Sequence, residues 1–283
     1  MQKRRDFLKN SLLAAGTLGL SDLTEANLLA KKIEVGIITN TMRSEFAQDY
    51  RQALQALADI GYTHIEGGVP ESCKSATAFK AALDEQGLQS VSLGSSMGNL
   101  MENMDNYLQT ADTLETPYLA CYWPWLSSAE NLGRDEVMEA AERINTVGKR
   151  AKEAGLRFAW HNHDKEFVEV DGQLAFDMLM ENTDPDYTTV QLDWYWVVKG
   201  GQDPVAYFRK YPGRFELAHV KDMNNNRDGG ISCVGQGIID FDSIFANADT
   251  GGVKHFIVEN ERAVRGLDCA KVSYQSIHRI LSK

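Results

Sequence analysis

The chain has 283 residues, and several residue types are scarce in it: 6 Pro, 4 Cys and 6 His. No proline- or serine-rich stretch interrupts it, which excludes a linker between two domains and any low-complexity tract. The four cysteines, Cys73, Cys121, Cys233 and Cys269, show no CxxC spacing and are too few for a disulfide scaffold. Positive charge is also short, with 29 Lys and Arg against 40 Asp and Glu and a net charge of −11. Binding of duplex nucleic acid needs clustered Lys and Arg on one face, so that class of partner is excluded. The apolar run near the N-terminus, Ser11 to Leu20, covers ten residues. A helix across a bilayer core needs about 20, so no stable membrane anchor is expected there. No G-x-G-x-x-G follows the first strand candidate and no glycine-rich phosphate loop occurs. What remains is ordinary globular composition, 43% hydrophobic and 24% charged.

Residues 1–30 carry an address. Lys3, Arg4, Arg5 and Lys9 precede the short apolar run, and the paired arginines followed by Asp6-Phe7-Leu8-Lys9 resemble a twin-arginine export signal. A periplasmic location is expected. Four basic and three acidic residues leave with that segment, so the mature chain from residue 31 carries −12. Export of a folded protein predicts free, buried thiols, although an oxidising periplasm permits a bridge.

The mature chain repeats one unit. Apolar strand candidates lie at Ile33–Ile38, His64–Glu66, Ser90–Leu93, Tyr118–Cys121, Arg157–His161, Thr189–Asp193, Phe215–His219 and His255–Glu259. They begin about 32 residues apart on average, the length of a strand, a helix and two loops. Helical patterns fall between them: Phe46–Ile60 ends at Gly61, Glu136–Ala154 ends at Gly155, and Pro204–Tyr211 follows Asp203 as N-cap. Eight units in about 250 residues predict a single-domain (β/α)8 barrel. An open doubly wound sheet is the alternative, weakened by the missing glycine fingerprint.

In such a barrel the strand C-termini face the active site. Here they carry Glu66, His161 (with His163 and Glu166 close behind), Asp193, His219 and Glu259. Ionised carboxylates at an apolar barrel mouth need a compensating partner, which a divalent cation supplies. Mixed imidazole and carboxylate ligands suit Mn²⁺, Zn²⁺, Co²⁺ or Fe²⁺, and Mg²⁺ is kept as a further candidate. All five tryptophans fall in three segments beside these strand ends: Trp123 and Trp125, Trp160, and Trp194 and Trp196. Indole faces stack on sugar rings, so Trp123, Trp125, Trp194 and Trp196, with Glu66 for a hydroxyl, are expected to bind a carbohydrate. Lys221 either holds a substrate oxygen or pairs with Asp222. His255 reads as structural.

Specific segments then point to a family. His161-Asn-His-Asp-Lys-Glu-Phe167, Leu192-Asp-Trp-Tyr-Trp196 with Gly200-Gly-Gln-Asp-Pro204, and Gly213-Arg-Phe-Glu-Leu-Ala-His-Val-Lys-Asp222 resemble the sugar phosphate isomerase/epimerase family, in the xylose isomerase-like barrel superfamily. Val234-Gly-Gln-Gly-Ile-Ile-Asp-Phe241 and Ile257-Val-Glu-Asn-Glu261 extend the match. The resemblance implies a (β/α)8 barrel holding one divalent metal on strand-end Glu, Asp, His and Glu. By position these are Asp193, His219 and Glu259, with Glu261 competing for the last place. The first Glu is replaced, because Gly155-Leu-Arg-Phe-Ala-Trp runs into His161, making His161 the fourth ligand and leaving His163 or Glu166 as alternatives.

The resemblance implies isomerase or epimerase chemistry by proton abstraction next to a carbonyl, with His161, His163, Glu166, Glu259 and Lys221 as candidate catalytic groups. Without the first Glu, a symmetric two-carboxylate exchange is lost. Elimination by a keto-glycoside lyase or dehydratase then becomes equally reasonable. A non-catalytic sugar-binding barrel is a further alternative. An endonuclease of the same superfamily is disfavoured by the acidic charge. The expected partner is a small carbohydrate, and association with a second copy of the chain is left open.

Overall fold

The computed structural model describes residues 34–282, so the export signal predicted over residues 1–30 lies outside the described residues. Eight parallel strands close into a barrel: β1 (Val35–Ile38), β2 (His64–Glu66), β3 (Gln89–Ser96), β4 (Tyr118–Trp123), β5 (Arg157–His161), β6 (Thr188–Asp193), β7 (Leu217–Val220) and β8 (His255–Val258). Each pairs with its neighbours in sequence, and β8 closes on β1 through Val35↔Phe256 to Ile37↔Val258. The fold is the expected (β/α)8 barrel, and the open-sheet alternative is excluded by that closure.

Helices pack around the strands: α1 (Arg43–Ile60), α2 (Ala76–Glu85), α3 (Met97–Leu114), α4 (Arg134–Glu153), α5 (Ala175–Asn182), α6 (Trp194–Lys199), α7 (Pro204–Lys210), α8 (Phe241–Gly251) and α9 (Gly266–Leu281). Their ends follow local chemistry. Gly61 ends α1 at φ 116°, and a Cβ there would sit 2.5 Å from the Tyr274 hydroxyl. Asp203 caps α7 by accepting from Val205 N at 2.9 Å, with Pro204 in the first turn. Gly94 lets β3 approach β4, since a Cβ would lie 1.9 Å from the Ala120 carbonyl oxygen. Strand β3 runs past the expected Leu93 through Gly94, Ser95 and Ser96, which carry no apolar pattern to reveal it.

Strand parity builds the interior. Ile38, Val91, Tyr118, Ala159, Leu217 and Ile257 meet inside the barrel as one apolar layer. Two residues further along three of these strands come His161, His219 and Glu259, on the same face. The site therefore stands on a packed apolar floor.

Two expectations are corrected. Cys233 and Cys269 form a disulfide, with Cα atoms 5.4 Å apart, while Cys73 and Cys121 are free and buried. The tryptophans do not all reach the mouth. Trp160 lies between inward-facing Ala159 and His161, so strand parity turns it outward, and Trp194 opens α6 on the helical side of the barrel. Trp160 packs on Phe176, and Trp194 sits among Phe208, Phe241, Phe245 and Phe256, both with no exposed surface.

The opposite end of the barrel holds His64 and His255, edge to face at 5.4 Å. Burial, with His64 beside it, lowers the His255 pKa from 6.5 to about 4. Between those values the unfolded chain binds the extra proton and the folded chain does not, so folding stability falls as pH drops from 6.5 towards 4. Thermal melts across that range are expected to show a smaller acid-side loss for His255→Gln than for the parent. Parallel curves would contradict this.

Candidate active site

Asp193 ends β6 and does two jobs. Its Oδ1 accepts from Trp196 N at 3.1 Å and caps α6, while Oδ2 points into the barrel mouth. Asn162, which has no exposed surface, fixes the strand end by accepting from Asp193 N at 2.9 Å and donating to its carbonyl at 3.4 Å. His219, on β7, is gripped from both sides: Nε2 lies 2.6 Å from Glu66 Oε1, and Nδ1 lies 2.9 Å from Glu259 Oε2. Glu259 stands one residue beyond β8, its N–H donating to the Val220 carbonyl at 3.3 Å. His161 Nε2 is 3.8 Å from Asp193 Oδ2.

His161, Asp193, His219 and Glu259 form a group that can hold a metal ion, with one ligand atom of each within 4.8 Å of the others. The fit is supported by the donor set. Among the described residues, Asp193 Oδ2, His219 Nδ1 and Glu259 Oε2 are buried and meet only one another, His161 and Lys221, and His161 Nδ1 is buried without a hydrogen bond. Buried polar groups left this way are expensive unless a partner completes them. Two nitrogen and two carboxylate donors suit a divalent transition ion.

Lys221, two residues past His219 and 1% exposed, supplies the local positive charge. Its ammonium lies 3.0 Å from Asp193 Oδ2, 2.7 Å from Glu259 Oε2 and 3.0 Å from Glu261 Oε2. The alternative pairing with Asp222 is not made. That carboxylate instead accepts from the N–H groups of Gly235, Gly237 and Ile239 and organises the loop after β7.

The electrostatics follow from burial and these contacts. Burial raises Asp193 to about 6, against the pull of Lys221. Burial would also raise Glu259, but Lys221 and His219 outweigh it and hold its pKa well below the usual range. Burial opposes charge on His219, yet Glu66 and Glu259 lift it to about 10. His161 is pushed far down by burial and by His219 and His163, so its imidazole is neutral. His163 falls to about 4, chiefly through burial.

The remaining predicted residues separate. His163 lies beside His161, ring centroids 4.8 Å apart, and is flanked by Trp123 and Trp196 at 5.2 Å each. A cavity of about 400 Å³ is lined by Tyr122, His161, His163, Lys221, Glu259 and Glu261, among others. Glu66 does not face it. Both its oxygens are taken, by His219, by Gln191 Nε2 at 2.6 Å and by the Ser92 hydroxyl, so the expected hydroxyl contact is replaced by support of His219. Glu166 is also withdrawn: it accepts from Trp125 Nε1 and from His163 N, both at 2.6 Å, and burial raises it to about 7. Trp125 and Trp194 are 1% and 0% exposed and offer no face to a ligand. Asn162, Gln191 and Ser92 escaped sequence reading. Gln191, buried between Val190 and Leu192 and two positions before Asp193 on the same face, was the one legible hint.

The profile of the xylose isomerase-like TIM barrel family matches residues 54–271. The chain belongs to that family. Among solved structures, a sugar phosphate isomerase/epimerase from Parabacteroides distasonis ATCC 8503 aligns at TM-score 0.75 and 25% identity, covering 87% of this chain and 94% of that one. The IOLI protein with a binding zinc atom aligns at TM-score 0.72 and 13% identity, covering 88% and 98%, which shows the shared fold alone. An inosose dehydratase from Bacillus cereus (strain AH820) is 28% identical over 147 residues, 45% of this chain and 48% of the relative. The chain thus spans about half the length of the curated relatives it matches.

Carboxylates that orient a ligating histidine are worth about 10–100-fold in metal affinity. Glu66→Gln is therefore expected to weaken divalent-metal binding by that factor, read by titration calorimetry. An unchanged affinity would remove Glu66 from the site's support.

Proposed function

We propose that the chain is a divalent-metal-dependent enzyme that removes a proton next to the carbonyl of a polyhydroxylated ketone and then expels a neighbouring oxygen. This is dehydratase or lyase chemistry on a sugar-like substrate. The observation that carries the reading is the end of β5, where His161 stands at the position the family resemblance gives to a carboxylate, with His163 beside it. A two-base epimerase needs a proton-transfer group on each face of the substrate carbon. Here the imidazoles of His161 and His163 line the cavity, while Glu259 is committed to His219 and Lys221. The name of the inosose dehydratase relatives supports loss of water from a keto-cyclitol as a model reaction.

When bound by His161, Asp193, His219 and Glu259, a divalent ion supplies Lewis-acid stabilisation of charge at the carbonyl oxygen. The protein's own groups do the rest. His163 lines the cavity beside His161, and we assign its imidazole to accept the substrate proton. Trp123 and Trp196 flank that ring, each with its centroid 5.2 Å from it, and do not themselves line the cavity. Glu261 lines the cavity with its Oε2 held 3.0 Å from the Lys221 ammonium, and we assign its carboxylate to accept from a substrate hydroxyl. Lys221 keeps the three carboxylates in place.

The test is product mass. Metal-loaded protein is incubated with an inosose, a 3-keto-glycoside and an unmodified ketose. Loss of water or release of the aglycone is the expected result. Conserved mass with an inverted centre would establish epimerisation, and tight binding without turnover would establish a binding barrel.

We further infer that the enzyme works in the periplasm, from the basic, twin-arginine start of the sequence and from a disulfide that suits an oxidising compartment. Cell fractionation of the full-length chain should place it outside the cytoplasm, and replacing Arg4 and Arg5 by Lys should retain it inside. Cytoplasmic recovery of the unaltered chain would reject this.

A further inference from the structure

We propose that the Cys233–Cys269 disulfide, acting through Asn260, positions Glu259 and Glu261 and thereby sets the metal affinity of the site. The proposal rests on the metal reading above and concerns how the protein builds that site.

Asn260 lies between the two acids and is 5% exposed. Its Nδ2 sits 3.4 Å from Cys269 Sγ and 3.7 Å from Cys233 Sγ, so the amide rests on the bridge. Its Oδ1 accepts from Arg262 N at 3.0 Å, and its own N–H donates to Thr41 Oγ1 at 2.9 Å. Every polar group of the side chain is thus used to hold the 259–262 turn. Glu259 and Glu261, one residue either side, both hold Lys221.

The bridge itself has two fixed abutments. Cys269 lies in the first turn of α9. Cys233 belongs to the loop after β7, where Val234 N donates to Ser273 Oγ at 3.1 Å and Asp222 accepts from Gly235, Gly237 and Ile239. Moving either sulfur therefore moves the seat of Asn260. The bridge is also reachable. A cavity of about 280 Å³ is lined by Cys233, Gln236, Val264 and Cys269, and Val264 is 96% exposed. A dithiol would donate two electrons and two protons, leaving two protein thiols and its own cyclic disulfide. Oxidised glutathione would reverse the change.

The experiment measures Mn²⁺ affinity by titration calorimetry on folded protein. It compares the parent, the Cys233→Ser/Cys269→Ser double variant and Asn260→Ala with the bridge intact by thiol count. Both variants are expected to bind Mn²⁺ about tenfold more weakly, the scale of lost support around a metal ligand. Dithiol-reduced, desalted parent should match the double variant, and reoxidation should restore it. A purely structural bridge would lower the melting temperature and leave the affinity of the folded protein unchanged, which would overturn the proposal. If the double variant does not fold, Asn260→Ala decides, and an unchanged affinity overturns it. If the parent binds no Mn²⁺, the same comparison is made with Zn²⁺ and Co²⁺, and binding of none of the three would overturn the metal reading first and this proposal with it.

Discussion

Asp193→Asn is expected to fold and to lose both the metal and turnover. The amide keeps an oxygen for the Trp196 N–H, so the start of α6 stays capped. It loses the charge at Oδ2, which faces His161, Lys221 and His219 at 3.8, 3.0 and 4.0 Å. Lewis-acid stabilisation is worth several kcal/mol of barrier, so kcat/KM should drop roughly a thousandfold or more. Asp193→Ala should show the same kinetic loss plus about 1 kcal/mol of stability, because the helix cap goes as well. Comparing the two variants by calorimetry and turnover separates these roles. Full activity in either would remove Asp193 from the site.

Trp194→Ala, one residue along, is expected to do the reverse. Trp194 has no exposed surface and touches no site residue named here; its ring meets Phe245 at 5.1 Å, with Phe208, Phe241 and Phe256 around it. Truncating a buried aromatic removes its burial and leaves a cavity, at a cost of about 3–5 kcal/mol. For a domain of this size that is roughly 6–20 °C in Tm. Protein that remains folded should bind metal with parental affinity. A melting temperature within a degree or two of the parent would contradict the packing described here.

The contrast between these neighbours shows what was readable in the sequence. The barrel was legible because eight apolar runs recur at the length of one strand–helix unit. The grouping of His161, Asp193, His219 and Glu259 was legible because in a barrel all strand ends converge on one face. The tryptophans were misplaced because nearness in sequence was allowed to stand for nearness in space. Parity alone sends Trp160 to the helical side once His161 points inward, and Trp194 follows the turn into α6 that Asp193 caps. Glu166 was drawn into the site by its motif, although its spacing of three from His163 is that of a capping contact, which it makes. Asn162 and Ser92 carried no signal of their own, since their partners lie on other strands. The Cys233–Cys269 pairing spans 36 residues and depends on how the loop after β7 meets α9, which no local pattern encodes.

The claim on which the rest depends is that His161, Asp193, His219 and Glu259 hold one divalent ion. Equilibrium dialysis of the parent and of Asp193→Asn against Mn²⁺, Zn²⁺ or Co²⁺, with metal counted per chain, tests it most directly. The account expects about one equivalent bound by the parent for at least one of these ions, and essentially none by the variant. No binding by the parent, or equal binding by both proteins, would contradict it.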